Sequence, residues 1–287
     1  AAMMRPVGLG PMHEAYPGRV IDVGIAEAEA VASAAGMAYQ GAHPVVALYA
    51  TFLNRGFDQL LMDVALHRAG VTFVLDRAGV TGADGASHNG VWDIAMCSMI
   101  PGLRLAAPRD EQTLRARLRE ALDVDDAPTV IRYRKGSLPE PMPALRSVGG
   151  VDILFDEAVA DSRARVLIVG TGACAPDAIE AARRLASDGV SVTVADPQWM
   201  IPICPDLATL ARDYDCVVSV EDGIVQGGFG WSLRDAVAET GVPVRCLGVP
   251  QGFPEHGDRA AMIAQFGFDA DGIERAAREL VERIGER

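Results

Sequence analysis

Short runs of branched apolar residues alternate with longer stretches of helical spacing along the whole chain. RVIDVGI (19–25), PVVALYA (44–50), VTFVLD (71–76), LRLAAP (103–108) and PTVIRY (128–133) predict buried parallel strands. Between them AEAEAVASAAGMAYQG, TFLNRGFDQLLMDVALHRAG and DEQTLRARLREALDV carry apolar residues at helical spacing. The last opens with Asp and Glu, as a helix start should. This βα alternation predicts a mostly parallel sheet flanked by helices.

The pattern breaks over 134–150, where RKGSLPEPMPALRSVGG has three prolines and no periodicity, as suits a linker. A second alternation follows. Strands are expected at 164–172, 190–197, 215–222 and 242–250, with helices at 176–188, 205–213, 230–240 and beyond 257. The fold class is therefore α/β with two domains, 1–140 and 151–287, joined by a linker at 141–150.

Composition narrows the partners. The 287 residues are 49% hydrophobic and carry a net charge of −13. Nucleic acid and anionic membranes both require basic patches, so neither is an expected partner. Small-molecule substrates are expected instead, and an anionic one would need locally placed cations. The five cysteines, at 97, 174, 204, 216 and 246, are scattered and form no CxxC pair. A disulfide framework or zinc site is not expected, and the thiols read as small buried hydrophobes in a reducing, cytoplasmic compartment. Neither a membrane span nor a signal peptide is expected.

Candidate chemistry gathers where a parallel sheet binds ligands, beyond the carboxyl ends of its strands. Those ends supply Glu27, then Tyr49 to Arg55, then Arg77 to His88, then Arg132 to Lys135. VLDRAGVTGADGASHNG (74–90) is the most unusual of these stretches: a strand runs into a glycine-rich loop bearing Arg77, Asp84 and His88. A histidine on a surface loop beside an aspartate is an acid/base candidate. Glu27 reads either as a helix-dipole acid or as a catalytic carboxylate. Glu29 lies two positions on, roughly 200° around the helix, and cannot share its face. Phe52 is either core or a stacking ring. Arg55 and Asp58 fall on one helix face and can pair. Lys135 is a solvated lysine or a phosphate cation. In the second domain GIVQGGFGWS is either a phosphate cradle at a helix N-terminus or a site of close helix–strand packing.

DVGIAEAEAVASAAGMA, ALYATFLNRGFDQLLMDVAL, LDRAGVTGADGASHNGVWD, PRDEQTLRARLREALD and IRYRKG, followed by DPQWMIPI, VEDGIVQGGFG and GVPQGFPEHG, occur in order along nearly the whole chain. Together they resemble the second half of the 1-deoxy-D-xylulose-5-phosphate synthase family, thiamine-diphosphate enzymes of the transketolase superfamily. The resemblance implies a pyrimidine-binding domain, short of its first strand and helix, and a transketolase C-terminal domain. It implies decarboxylating condensation of pyruvate with glyceraldehyde 3-phosphate, for isoprenoid precursors. It further implies a homodimer completed by an N-terminal diphosphate-binding domain or subunit, whose Gly-Asp-Gly motif would hold Mg²⁺; no metal ligand is expected in this chain.

By the same resemblance Glu27 would hydrogen-bond the aminopyrimidine ring nitrogen, Phe52 would stack on that ring, and Arg55 would lie close by. Tyr49, Asp84 and His88 would line the reacting centre. Arg77 and Lys135 would bind substrate, Lys135 at the position of an arginine for the acceptor phosphate. The chain departs from the family at Ala28-Glu29, where Gln-His is usual, at Ala50 (Ser) and at Arg134 (Pro). The change to Ala28-Glu29 adds negative charge near the pyrimidine pocket. The alternatives are accordingly a paralogous or split transketolase-like subunit with a different donor or acceptor, an oxo-acid dehydrogenase β-type subunit, or a non-catalytic subunit.

Overall fold

The branched apolar runs build two sheets in a computed structural model that describes residues 1–286. The first region contains α1 (Gly10–Ala15), α2 (Glu27–Tyr39), β1 (Val45–Tyr49), α3 (Phe57–Gln59), β2 (Thr72–Asp76), α4 (Asp93–Ser98), β3 (Arg104–Ala106), α5 (Glu111–Leu122) and β4 (Thr129–Arg132). A 3₁₀ segment, Ala50–Gly56, precedes α3, and a π-helical segment, Leu60–Ala65, follows it. The four strands are all parallel, in the order β1-β2-β4-β3. Asp110 caps α5 through a capping box with Thr113, which explains the sharp helix start after LRLAAP.

The second region contains β5 (Arg146–Val148), β6 (Val151–Glu157), β7 (Arg165–Gly170), α6 (Ala175–Ser187), β8 (Ser191–Pro197), α7 (Pro205–Ala211), β9 (Cys216–Ile224), α8 (Phe229–Ala236), β10 (Val244–Val249), α9 (Arg259–Phe266) and α10 (Ala270–Gly285). Its sheet runs β10-β9-β7-β8-β6-β5, parallel from β10 to β8, with β6 and β5 antiparallel at the edge.

Two differences from the sequence expectations stand out. Residues 19–25 form no strand. Ile21 and Ile25 are 56% and 70% exposed, so this branched run does not lie against the core. Its backbone meets residue 1 instead: the Ala1 amine donates to the Ile21 carbonyl at 2.8 Å, and the Val23 N–H donates to the Ala1 carbonyl at 3.0 Å. In addition, the proline-rich stretch ends in a strand, β5, that folds back on β6. Neither antiparallel strand was legible, because antiparallel strands need not carry a continuous apolar run.

The two sheets share one core. Leu105, on β3, exchanges backbone bonds with Met200 and Ile201 at 2.7 and 3.0 Å. Its buried side chain belongs to a cluster running from Val46, Leu48 and Phe73 to Ile153, Val169 and Met200. Arg109 adds a buried charged link, with Nη1 at 2.8 Å from Asp152 and 3.0 Å from Asp196. Three cysteines, Cys97, Cys174 and Cys216, are buried, and all five are free. No helix among the described residues is long and apolar enough to cross a membrane.

Candidate active site

Four stretches that are distant in sequence deliver the candidate side chains to one edge of the first sheet. Tyr49 is the last residue of β1, and the 3₁₀ segment after it carries Phe52 and Arg55. Glu27 is the first residue of α2, which packs on that segment. Arg77 directly follows β2, and Lys135 lies three residues beyond β4.

The side chains meet one another in two connected groups. Glu27 is 2% exposed, and its Oε2 lies 3.4 Å from Arg55 Nη1. Arg55 therefore pairs with Glu27, not with Asp58 on its own helix face. The Arg55 guanidinium sits 4.5 Å above the Phe52 ring. Phe52 in turn stacks with Tyr49 (centroids 6.0 Å apart, 14° between planes) and meets the His88 ring edge-on at 5.3 Å. The Arg77 guanidinium lies 4.2 Å from the Tyr49 ring centroid. Asp84 then bridges two cations, with Oδ1 at 2.6 Å from Lys135 Nζ and Oδ2 at 3.9 Å from Arg77 Nη1. His88 Nδ1 lies 2.8 Å from Ser87 Oγ. All eight sequence candidates thus fall in one contiguous cluster.

Two properties mark this cluster as more than packing. Arg77 has φ 58°, the left-handed region that a side-chain-bearing residue rarely adopts, and such strain concentrates at functional sites. Three buried polar atoms here, Glu27 Oε1, Arg77 Nε and Asp84 Oδ2, have no hydrogen-bond partner. Arg77 Nε and Asp84 Oδ2 still have ionic neighbours, Asp76 at 3.8 Å and Arg77 at 3.9 Å. Buried polar groups are nearly always hydrogen-bonded, so the acceptor Glu27 Oε1 stands ready for a ligand's donor. Glu27 Oε1 is a buried acceptor, and Arg55 links the same carboxylate to the Phe52 ring. Glu29, by contrast, is exposed and stands apart from this group. Among the described residues no three His, Cys, Asp or Glu side chains are grouped to hold a metal ion.

A cleft of about 830 Å³ opens between the two sheets, lined in part by Asp76, Ala78, Arg134 and Gly136. Arg77 and Lys135 are sequence neighbours of these lining residues, so the cleft runs close to the candidate cluster.

The glycine cluster of the second domain has a different purpose from phosphate binding. The first backbone N–H groups of α8, from Phe229 and Gly230, donate to Glu221 at 2.8 and 2.9 Å. A Cβ on Gly228 would lie 2.3 Å from Glu221 Oε2. The helix N-terminus is already occupied by a carboxyl group of the chain itself, eight residues upstream of Phe229. Burial pushes the Glu221 carboxyl from 4.5 up to about 7, against those two hydrogen bonds.

That shift has a sign. The folded state holds the Glu221 proton more tightly than the unfolded chain, so this contribution to stability is complete below pH 4.5 and is lost as pH rises through 7. At ~1.4 kcal/mol per pH unit the loss is about 3 kcal/mol. In urea denaturation at pH 5 and pH 8, the wild-type chain should lose about 2–3 kcal/mol more than Glu221→Gln does. Equal losses in the two proteins would refute the assignment.

Sequence reasoning missed the groups that hold the site from below. Asn89 is fully buried and accepts from Thr81 N–H at 2.8 Å and Gly82 N–H at 3.3 Å. Arg132 forms a two-pronged ion pair with Asp93, at 2.7 and 3.2 Å. The glycines at 79 and 82 were the only local signal, and their reason lies more than 140 residues away.

Comparison with known proteins accounts for both halves of the chain. The family described as transketolase, pyrimidine binding domain, matches residues 1–141, and that described as transketolase, C-terminal domain, matches residues 157–273. The chain is 53% identical over 285 residues to 1-deoxy-D-xylulose-5-phosphate synthase 2 of Kitasatospora griseola, covering 98% of this chain and 45% of that protein. Against 1-deoxy-D-xylulose-5-phosphate synthase of Corynebacterium glutamicum it is 52% identical over 278 residues, covering 96% and 44%. The chain spans less than half the length of these relatives. A solved structure described as a split gene transketolase, an inactive beta4 tetramer, matches with a TM-score of 0.80 at 27% identity, covering 94% of this chain and 86% of that one.

Proposed function

This chain belongs to the transketolase family, and on that premise we propose that it is the pyrimidine-binding half of a thiamine-diphosphate-dependent synthase. Its reaction would join pyruvate to glyceraldehyde 3-phosphate with loss of carbon dioxide, giving 1-deoxy-D-xylulose 5-phosphate for isoprenoid synthesis. The observation that carries this reading is the buried, unpartnered Oε1 of Glu27, whose Oε2 is held by the Arg55 guanidinium that also covers the Phe52 ring. Thiamine diphosphate, when bound, supplies a carbon nucleophile that adds to the donor's carbonyl and stabilises the charge left by decarboxylation.

The chain's own residues would do the rest. Glu27 holds a proton at its Oε1 against the pyrimidine ring nitrogen and takes it back, work for which a carboxylate screened from water is suited. Phe52 and Tyr49 give the ring an apolar wall and keep solvent out. His88 and Asp84, on the glycine-rich loop, stand over the reacting centre as acid/base groups. Arg77 and Lys135 compensate the acceptor's phosphate, which a chain of net charge −13 otherwise repels. In this reading Asp84 occupies both cations until the anion arrives. Diphosphate and Mg²⁺ would be held by an N-terminal domain or subunit, in a cytoplasmic homodimer.

A split subunit is the second reading. The match to a split gene transketolase chain over 86% of its length favours it. An oxo-acid dehydrogenase β-type subunit is disfavoured by the grouping of Arg77, Asp84 and His88, and a non-catalytic subunit by the buried, unpartnered Oε1 of Glu27.

The acceptor assignment is tested with Arg77→Ala and Lys135→Ala in enzyme reconstituted with the diphosphate-binding half. Charge-assisted bonds to phosphate are about twice as strong as neutral ones. Each variant should raise the KM for glyceraldehyde 3-phosphate by about tenfold or more, with the pyruvate KM and a non-phosphorylated aldehyde little affected. If both acceptors suffer alike, these cations serve the donor or the fold, and the phosphate reading fails.

A further inference from the structure

The loop that carries Asp84 and His88 is built by the first domain but seated in the second. Its base is closed by two backbone bonds between Gly79 and Gly90, at 2.7 and 2.8 Å. Just inside that closure, Val80 and, just outside it, Val91 are buried in the second domain's own core, with Val166, Ile168, Val218, Val220 and Met262. The Val91 carbonyl also accepts from the Ile224 N–H, at the end of β9, at 2.9 Å.

Polar contacts complete the seat. Asp222, buried on β9, accepts the Val80 N–H on Oδ1 at 2.9 Å. Its Oδ2 lies 2.8 Å from Arg259 Nη2, at the start of α9, and Arg259 Nη1 donates to the Val80 carbonyl. One charged pair thus holds both backbone groups of Val80. Farther along, the Gly257 N–H donates to the Gly82 carbonyl at 3.3 Å, and Asn89 donates to the Pro254 carbonyl at 3.2 Å. The glycines follow from this closeness. A Cβ on Gly79 would lie 2.1 Å from Asp222 Oδ2, and one on Gly82 would lie 2.6 Å from the Gly257 carbonyl, both at positive φ.

We propose that Asp222 and Arg259 are positioning residues for the reaction, setting through Val80 the place of the loop that presents Asp84 and His88. Neither touches the catalytic cluster. Resting on the function proposed above, this gives the second domain a part in the chemistry, though none of the eight candidates lies in it. A catalytic group displaced by about 1 Å loses on the order of 10²-fold in rate, so a loop with a loosened base loses turnover before it loses substrate affinity.

Hydrogen exchange of this chain alone, followed by kinetics of the reconstituted enzyme, tests the proposal. Arg259 is the safer position to change, because its side chain is 21% exposed and Asp222 is buried. In Arg259→Gln, peptides spanning 77–90 should exchange about tenfold faster or more, with those from β7 and β8 unchanged. In the enzyme, kcat should fall about 10- to 100-fold with the pyruvate KM within about twofold, and Arg259→Lys should recover much of the loss. Asp222→Asn should speed exchange of the same peptides.

Unchanged loop exchange in both Arg259→Gln and Asp222→Asn overturns the proposal. So does faster exchange spread over β7 and β8, which marks a purely structural pair, or faster loop exchange with kcat intact. If the reconstituted wild type makes no synthase product, the functional reading fails by itself, and the exchange result still judges whether this pair holds the loop.

Discussion

Glu27→Gln should abolish turnover in the reconstituted enzyme while the circular dichroism and denaturation curve of the chain stay close to wild type. The substitution keeps the side chain's shape and its place at the start of α2. What it removes is a carboxylate able to accept a proton and return it at Oε1, and the charge that holds Arg55 at 3.4 Å. A positioned acid/base is worth about 10²–10⁴-fold, and a loss of at least this size is expected. Glu29→Gln should cost little, since Glu29 is exposed where Glu27 is buried. Measuring kcat for the two variants side by side decides the matter. Similar losses would mean that the wrong carboxylate has been chosen.

The largest effect on stability is expected at the ion pair of Arg132 and Asp93. Their side chains are 5% and 0% exposed. Arg132 also donates through Nη2 to the Asp222 carbonyl at 2.9 Å, so one guanidinium holds groups from both domains. Arg132→Met fills much of the space but leaves the Asp93 carboxylate buried without a cation. Removing one partner of a buried pair costs about 3–5 kcal/mol, because the other charge is stranded. Urea denaturation should show a loss in that range. Arg132→Met combined with Asp93→Leu should recover a good part of it, since replacing both members with apolar groups is often close to neutral. A loss below about 1 kcal/mol for the single variant would show that Asp93 simply takes up a proton and needs no partner.

That the candidate residues gather in one cluster was legible in the sequence because parallel sheets bind ligands beyond the carboxyl ends of their strands. Tyr49, Arg77 and Lys135 stand at strand ends or just past them, and short apolar runs locate those ends without any knowledge of side-chain contacts. Position on the sheet does not reveal partners. Arg55 looked like a mate for Asp58 at helical spacing, and its actual partner, Glu27, is 28 residues away. The glycine cluster before α8 fits no phosphate-loop spacing and left close packing as the main reading, but only the fold brings Glu221 to it. The run 19–25 failed for the converse reason. Its branched residues satisfy a strand's composition, but a strand also needs a neighbour and a covered face, and Ile21 and Ile25 have no cover.

The core shared by the two sheets limits how this protein can vary. Leu105 with Ile201, Arg109 with Asp152 and Asp196, and Arg132 with the Asp222 carbonyl all cross the boundary between the halves. The proline-rich connection therefore ties together parts that are already one body. Domains joined in this way do not behave as interchangeable modules. A hybrid carrying one half from a distant relative would have to import these buried charges in matching sets, so the pair of domains, and not either one, is the piece that evolution or an engineer can move.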